Sequence, residues 1–304
     1  MRHKERLIGK PIYNPVSKRP SPGGLSQYIP PRSSELSGVL LNVRLDGLEP
    51  LTLWFLTGDT LLWAEQGENF RQETYECVKV TPSVYLIFFP LSNRKPATLA
   101  TFVWDRSTML ITAVMATLGA DESRPKLVHS RSYFGACLLA RKPLETRRHA
   151  YTDELVGRRI VWQYTPNDSV MHIYQSQTRM RLWLVQPQLM DTATEEQRKG
   201  FQRFIDRRTA YPIYEEPVEY IKIAENLYLY TSVEENLNRA LPAQGGGQLA
   251  IVLDATAQRY VGRGFGAGAD GKPAFGVIGA IGQFSDEPDE VEAYPCPYYR
   301  AAEE

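Results

Sequence analysis

The sequence predicts a mainly β protein made of two like domains in tandem, and three observations predict it. The strand-like segments are short and closely spaced, turn signals separate them, and the same order of pieces occurs twice. The first copy reads Leu36-Ser37-Gly38, then residues 51–63, Tyr75-Glu76-Cys77-Val78-Lys79-Val80, Val84-Tyr85-Leu86-Ile87-Phe88, and an apolar run 99–104 ending in Asp105. The second reads Leu155-Val156-Gly157, residues 170–183, Tyr220-Ile221-Lys222-Ile223, Leu227-Tyr228-Leu229-Tyr230, and a run 249–253 ending in Asp254. A repeat of roughly 120 to 150 residues is too long for a solenoid unit and has the size of a small domain.

Taken in order, residues 1–34 are rich in Pro, Ser, Lys and Arg, with Pro20-Ser21-Pro22-Gly23-Gly24, and predict an extended arm. Residues 51–55 and 60–63 flank Thr57-Gly58-Asp59, a hairpin signal. Strands follow at 72–81 and 83–90, joined through Pro82, then at 97–105 and 109–118, joined by a polar turn at 106–108. Residues 126–140 carry one or two more, the pattern of an antiparallel sandwich or barrel. The first domain is thus placed at 35–145 and the second at 150–284, with an acidic, Pro-rich tail at 285–304. The second copy has one addition. Thr194 and Gln197 have capping-box spacing, and Phe201, Phe204 and Ile205 fall at helical spacing, which predicts a helix over 194–208 that covers a sheet edge or a barrel mouth.

Lys+Arg and Asp+Glu number 35 each, so bulk charge gives no reason to expect nucleic acid or an anionic membrane as partner. Arg147, Arg148 and His149, after Arg141 and Lys142, read as the solvated joint between the copies. No apolar run reaches the ~18 residues of a membrane span, and the start of the chain has no signal-peptide core. Cys77, Cys137 and Cys296 have no metal-ligand spacing and are odd in number, which fits a reduced, cytoplasmic setting. The four histidines never pair at ligand spacing, so no metal is expected. Gly266-Ala267-Gly268-Ala269-Asp270-Gly271 matches the dinucleotide fingerprint but is followed by Lys272-Pro273 and a strand-like stretch, so it reads as a hairpin loop. Asn167-Asp168-Ser169 reads as a turn.

Alternate side chains of a strand point to opposite faces. His172, Tyr174 and Ser176 therefore share a face; so do Arg181 and Trp183, and Arg263 and Phe265. Tyr228, Tyr230, Ser232 and Glu234 share another, with Leu227, Leu229, Thr231 and Val233 opposite. In an open sandwich a polar face meets solvent, but solvent faces carry Lys, Glu and Thr. Rings with polar tips suit the inside of a ligand-holding barrel. On that reading the second copy encloses a site in which His172, Glu234 and Tyr174 are catalytic candidates. Arg181, Trp183, Tyr220, Tyr228, Tyr230, Arg263 and Trp162 are the ligand-binding candidates. Glu234 or His172 would move a proton, Arg181 or Arg263 would hold a carboxylate or enolate, and phenols would stabilise negative charge. The first copy offers Trp54, Trp63, Tyr75, Tyr85, His129, Arg131 and Tyr133 on more apolar strands.

Residues 51–63 and 75–89 resemble the molybdenum cofactor biosynthesis protein F (MoaF) family. So do residues 154–158, His172-Ile173-Tyr174, residues 219–223, residues 226–230, Val233-Glu234 and residues 262–266, and the resemblance spans most of 35–284. It implies two calycin-type, lipocalin-like antiparallel barrels in one chain and carries over no catalytic residue. The calycin group also includes phenolic acid decarboxylases, cofactor-free barrel enzymes using Tyr, Arg and Glu; that kinship is an analogy of fold.

The expected function is cofactor-independent acid–base chemistry on a small apolar or aromatic metabolite, as in a decarboxylase, dehydratase, isomerase or cyclase. A lipocalin-like binding protein without chemistry is the alternative, and a pair of barrels filled by their own side chains is a third. No cofactor, nucleic acid or membrane is called for, and a homodimer is compatible with the sequence.

Overall fold

A computed structural model of the chain describes residues 28–120, 124–138, 146–164, 168–187, 213–236, 247–268 and 271–284. The expected helix at 194–208, the tail from 285 and most of the N-terminal arm lie outside the described residues. The first sheet holds β1 (Leu40–Leu45), β2 (Leu51–Phe55), β3 (Thr60–Glu65), β4 (Arg71–Thr74), β5 (Glu76–Lys79), β6 (Val84–Leu91), β7 (Thr98–Asp105), β8 (Leu110–Leu118) and β9 (Val128–Leu138). Their order is β4-β3-β2-β1-β9-β8-β7-β6-β5, every pair antiparallel. Its two edges, β4 and β5, are separated in the chain by Tyr75 alone, so this barrel is nearly closed.

The second sheet holds β10 (Ala150–Tyr151), β11 (Arg159–Gln163), β12 (Asp168–Ser176), β13 (Arg179–Pro187), β14 (Ile213–Ala224), β15 (Leu227–Val233), β16 (Gln248–Asp254), β17 (Arg259–Ala267) and β18 (Pro273–Phe284). Here β14 is one long strand that pairs with β13 through Ile213–Pro217 and with β15 from Val218 onward, so β11–β18 close completely. Both domains are up-and-down antiparallel barrels, the arrangement that removes free sheet edges. The G-x-G-x-x-G run connects β17 to β18, and Gly268 N–H donates to Lys272 O, as a hairpin loop requires.

The duplication holds element by element. Leu36 and Leu155 close one end of their barrels at 2% and 0% exposure. Each is followed by a glycine with positive φ, Gly38 at 80° and Gly157 at 82°, a conformation that side chains with a Cβ avoid. Beside each turn stands the same clamp. Glu35 accepts from Lys79 Nζ and from the Tyr85 hydroxyl, and Glu154 accepts from Lys222 Nζ and from the Tyr228 hydroxyl, both phenol bonds being 2.8 Å long.

The outer faces of β5–β7 and β14–β16 are apolar because they pack on one another. Val78, Val80, Val84, Leu86 and Val103 form one buried cluster with Ile221, Ile223, Leu227, Leu229 and Val252. The registers Lys79↔Tyr85 and Lys222↔Tyr228 make these two sets equivalent, so the barrels meet by matching faces, as subunits of a twofold dimer do. Tyr28 and Ile29 wedge against the second barrel, where a Cβ on Gly279 would lie 2.6 Å from Tyr28 O. Among the described residues no helix is long and apolar enough to cross a membrane. Cys77 and Cys137 are buried and not joined in a disulfide.

Candidate functional site

The shared registers fix which interior positions of the two barrels correspond. Leu53 pairs with Leu41 and Trp63 as His172 pairs with Ile160 and Leu182. Trp104 pairs with Ile111 as Leu253 pairs with Tyr260. Extended along the strands, this matching places Trp162 at the position of Val43, Tyr164 at Leu45, His172 at Leu53 and Tyr174 at Phe55. It places Tyr220 at Cys77, Tyr230 at Ile87, Glu234 at Leu91 and Tyr260 at Ile111. The first interior is an ordinary core of aliphatic and aromatic side chains. Eight of its positions become polar aromatics, an imidazole or a carboxyl in the second. Volume is recovered opposite them: Trp63, Phe102, Trp104 and Met115 correspond to Leu182, Ile251, Leu253 and Gly264.

The inward orientation expected for the phenols and the imidazole is what the structure has. Tyr174, Tyr220 and Tyr230 are 0–1% exposed and share one cluster with Trp162, Tyr164 and Tyr260. His172 sits among four rings, with centroids 5.9 Å from Tyr230, 6.1 Å from Tyr174, 6.4 Å from Trp162 and 6.5 Å from Tyr260. Trp162 Nε1–H donates to the Tyr174 hydroxyl at 3.2 Å, and the Tyr220 hydroxyl donates to Arg179 O. Burial removes water from these groups and shifts each toward its neutral form. His172 is pushed down to about 3, and the phenols of Tyr164, Tyr174, Tyr220, Tyr230 and Tyr260 are all pushed up.

Glu234 lies just past β15, at the end of the barrel where the connections are long. Tight turns at 177–178, 225–226 and 255–258 join strands at the other end, whereas residues 188–212 and 234–247 link strands at this one. Long connections on a rigid scaffold are where binding and catalytic groups concentrate. Glu234 N–H donates to Gly247 O at 2.8 Å, and Glu234 Oε2 lies 2.8 Å from where a Cβ on residue 247 would stand. Glu234 is half-buried, and desolvation raises its carboxyl to about 7, opposed by a backbone hydrogen bond from Gly247. Its charge is felt by Tyr164 and Tyr230.

Two residues expected in this site are elsewhere. Arg181 shares its strand with inward Met180 and Leu182, so its own side chain turns outward and Nε donates to Glu215 Oε1 at 2.6 Å. Arg263 is 0% exposed, but it points from β17 into the junction between the barrels. There Nε donates to Thr101 Oγ1 at 2.7 Å and Nη1 to Gln248, and burial lowers its pKa to about 9. Both follow from parity: on β13 and β17 the inward residues are the neighbours of the charged ones. Trp183 lies in register with Met171 and Ile213, and its side chain is outside the described residues. Tyr228 does point inward, but its hydroxyl is spent on the Glu154 clamp, which Tyr85 reproduces in the apolar barrel. Tyr228→Phe, like Tyr85→Phe, is therefore expected to lower stability by about 1 kcal/mol in denaturant titrations, without altering the chemistry of the site.

Tyr164 and Tyr260 were not anticipated from the sequence. Tyr164 continues the alternation of Trp162, and Tyr260 shares its face with Gly262 and Gly264, a phenol beside two residues without side chains. Gly282 serves the same site: a Cβ there would stand 2.4 Å from Trp162 Cζ3. Gly282→Val is expected to displace the indole and to cost about 1–3 kcal/mol, visible as a lower melting temperature with altered tryptophan emission.

In the first barrel, Trp63, Tyr75 and Tyr85 are buried in the core, and Tyr133 packs against it with Arg131 over its ring at 5.2 Å. Trp54 is 40% exposed and His129 is exposed.

The architecture is thus a pair of antiparallel β-barrels, the first apolar inside and the second lined by phenols, an imidazole and a carboxyl. Residues 22–120 match the MoaF N-terminal domain and residues 149–202 the MoaF C-terminal domain, together half of the chain. The chain belongs to the MoaF family. Tyr220, Tyr230, Glu234 and Tyr260 lie beyond the matched stretches. Comparison with curated proteins found none that matches this chain.

Proposed function

We propose that the second barrel is a cofactor-independent acid–base catalyst acting on a small aromatic or polyketide-like metabolite. The observation that carries this reading is the conversion of eight apolar interior positions into titratable or hydrogen-bonding ones in only one of two otherwise matching barrels. A role confined to packing gives no reason for that difference, since the first barrel fills the same frame with aliphatic and aromatic side chains.

Within the set the roles divide by pKa. A carboxyl near 7 is suited to act as a general base at neutral pH. His172, held neutral, offers a hydrogen bond rather than a proton store. The phenols remain protonated and can donate to negative charge that develops on a substrate. Such a set supports isomerisation, dehydration or cyclisation through an enol. Cys77 and Cys137, buried and not joined in a disulfide, support a reducing, cytoplasmic setting.

The test is proton exchange. Cyclic aromatic ketones incubated with the protein in deuterium oxide should take up deuterium beside the carbonyl faster than without it, and Glu234→Gln should remove most of the acceleration. Equal rates for the wild type and the variant across the panel would contradict the reading. A carrier without chemistry would bind these ketones and leave their exchange unchanged.

A further inference from the structure

Inside the second barrel three buried polar atoms lack a partner at good hydrogen-bond geometry: Nδ1 of His172 and the hydroxyls of Tyr230 and Tyr260, the last of which has the Tyr164 hydroxyl beside it. They belong to neighbouring rings, since His172 lies against both tyrosines. Buried polar atoms nearly always find partners, because each one left alone costs about 1–3 kcal/mol. The other polar rings of this interior obey the rule, as Trp162 and Tyr220 show. The three lie together, and the corresponding positions of the first barrel, Leu53, Ile87 and Ile111, carry no polar atom; the unpaired atoms of that core are the indole nitrogens of Trp63 and Trp104, at other positions.

The chemistry of the three groups limits what would satisfy them. Tyr230 and Tyr260 keep their protons and act as donors, and a neutral imidazole donates or accepts at Nδ1 according to its tautomer. A carbonyl or hydroxyl oxygen, with two lone pairs, can take bonds from two such donors. Three polar ends on neighbouring rings suit a single oxygen atom of a ligand, with the rest of the ligand lying toward the end of the barrel where Glu234 stands.

Charge limits it further. Among the described residues no Lys or Arg faces this interior, because Arg181 is held outside by Glu215 and Arg263 lies between the barrels. Glu234, just past the end of β15, would repel an anion once it is ionised. A carboxylate or phosphate substrate would be desolvated without a counter-charge, at a cost of several kcal/mol.

We infer, building on the acid–base reading above, that the substrate is an uncharged ring compound whose carbonyl or hydroxyl oxygen is held by Tyr230, Tyr260 and His172. For a ketone the reaction balances without a co-reactant. Glu234 takes a proton from the carbon beside the carbonyl, that C–H pair becomes the new C=C bond, and the C=O π pair moves onto the oxygen. The two phenols donate to that oxygen, and Glu234 returns the proton to another carbon or to the oxygen. Of the reactions that the sequence leads one to expect, decarboxylation of a carboxylate is the one this interior fits least.

Titration calorimetry of the full chain with three probes of like size tests this: 2-naphthol, 2-tetralone and 2-naphthoate, above neutral pH. Naphthol and tetralone should bind, naphthoate at least about tenfold more weakly, and Tyr230→Phe or Tyr260→Phe should weaken naphthol by about tenfold, the loss of one buried hydrogen bond. Circular dichroism of each variant checks that it is folded. Naphthoate binding as tightly as naphthol would overturn the uncharged class, and binding indifferent to both tyrosine variants would overturn the oxygen site. The inference also fails if none of the three binds. Failure of the acid–base reading would appear separately, as normal proton exchange in Glu234→Gln with probe binding intact.

Discussion

Glu234→Gln is expected to slow exchange of ketone α-protons by about 10²–10⁴-fold, the range that a positioned general base supplies. Glutamine keeps the shape of the side chain, which matters because Glu234 Oε2 presses on the space beside Gly247. It can still accept the backbone hydrogen bond from Gly247 but cannot take a proton. In the wild type the rate should rise with pH through about 7, because the active form is the carboxylate and desolvation holds its pKa there. The groups around it, Tyr164 and Tyr230, have phenol pKa values pushed further up and stay neutral over that interval. The variant should show no such rise. Folding should be little affected, since the position is occupied by Leu91 in the first barrel.

His172→Leu carries the largest expected effect on stability, and its sign depends on pH. The folded imidazole has a pKa of about 3, against 6.5 for the free side chain. Between those values the unfolded chain binds the proton and the folded one does not, so wild-type stability falls with falling pH by about 1.4 kcal/mol per unit from this group. The loss begins near pH 6.5 and is complete below about 3. Leucine, the residue at the equivalent position 53, has no proton to gain. Near pH 4.5 the variant should therefore gain roughly 3 kcal/mol relative to any difference at pH 7, read as the shift in urea midpoint.

His149 behaves in the same direction. It is lowered to about 4 by burial, its Nδ1 is 2.8 Å from Thr112 Oγ1, and the nearby Asp105 opposes the shift. Glu234 acts oppositely: its raised pKa lets the folded state hold a proton between 4.5 and 7, which favours folding as pH falls. Both groups are present in the wild type and in the variant, so their contributions cancel in the comparison.

Much of the architecture was legible because alternation and turn chemistry are local. The hairpin at Thr57-Gly58-Asp59, the paired runs around Pro82 and the duplicated Leu-x-Gly turns all lie where strand periodicity and positive-φ glycine place them. The continuous 72–81 strand was the exception. It breaks at Tyr75 into β4 and β5, whereas its counterpart β14 bends without a break.

In the site, parity groups side chains by face but does not say which face is inside. Tyr228 and Tyr230 turn inward because their strand neighbours Leu227 and Leu229 are taken up by the other barrel. Spacing alone groups Arg181 with Trp183 and Arg263 with Phe265 and leaves the direction of each pair open. The surroundings decide it: Glu215 pairs with Arg181 across the strands, and Thr101 of the first barrel receives Arg263. The signal that could have separated the two arginines from the imidazole is the duplication itself. Aligned copy on copy, His172 falls on the core residue Leu53, whereas Arg263 falls on Val114, which faces the other barrel.

The most direct measurement is the ionisation of the Glu234 carboxyl in the folded protein, read by carbon-13 NMR as the glutamate signal absent from Glu234→Gln. A midpoint near 7 is predicted, because the carboxyl is partly desolvated beside Tyr164 and Tyr230. A midpoint near the ordinary 4.5 would mean that it stands in solvent, and the second barrel would then lack the base assigned to it.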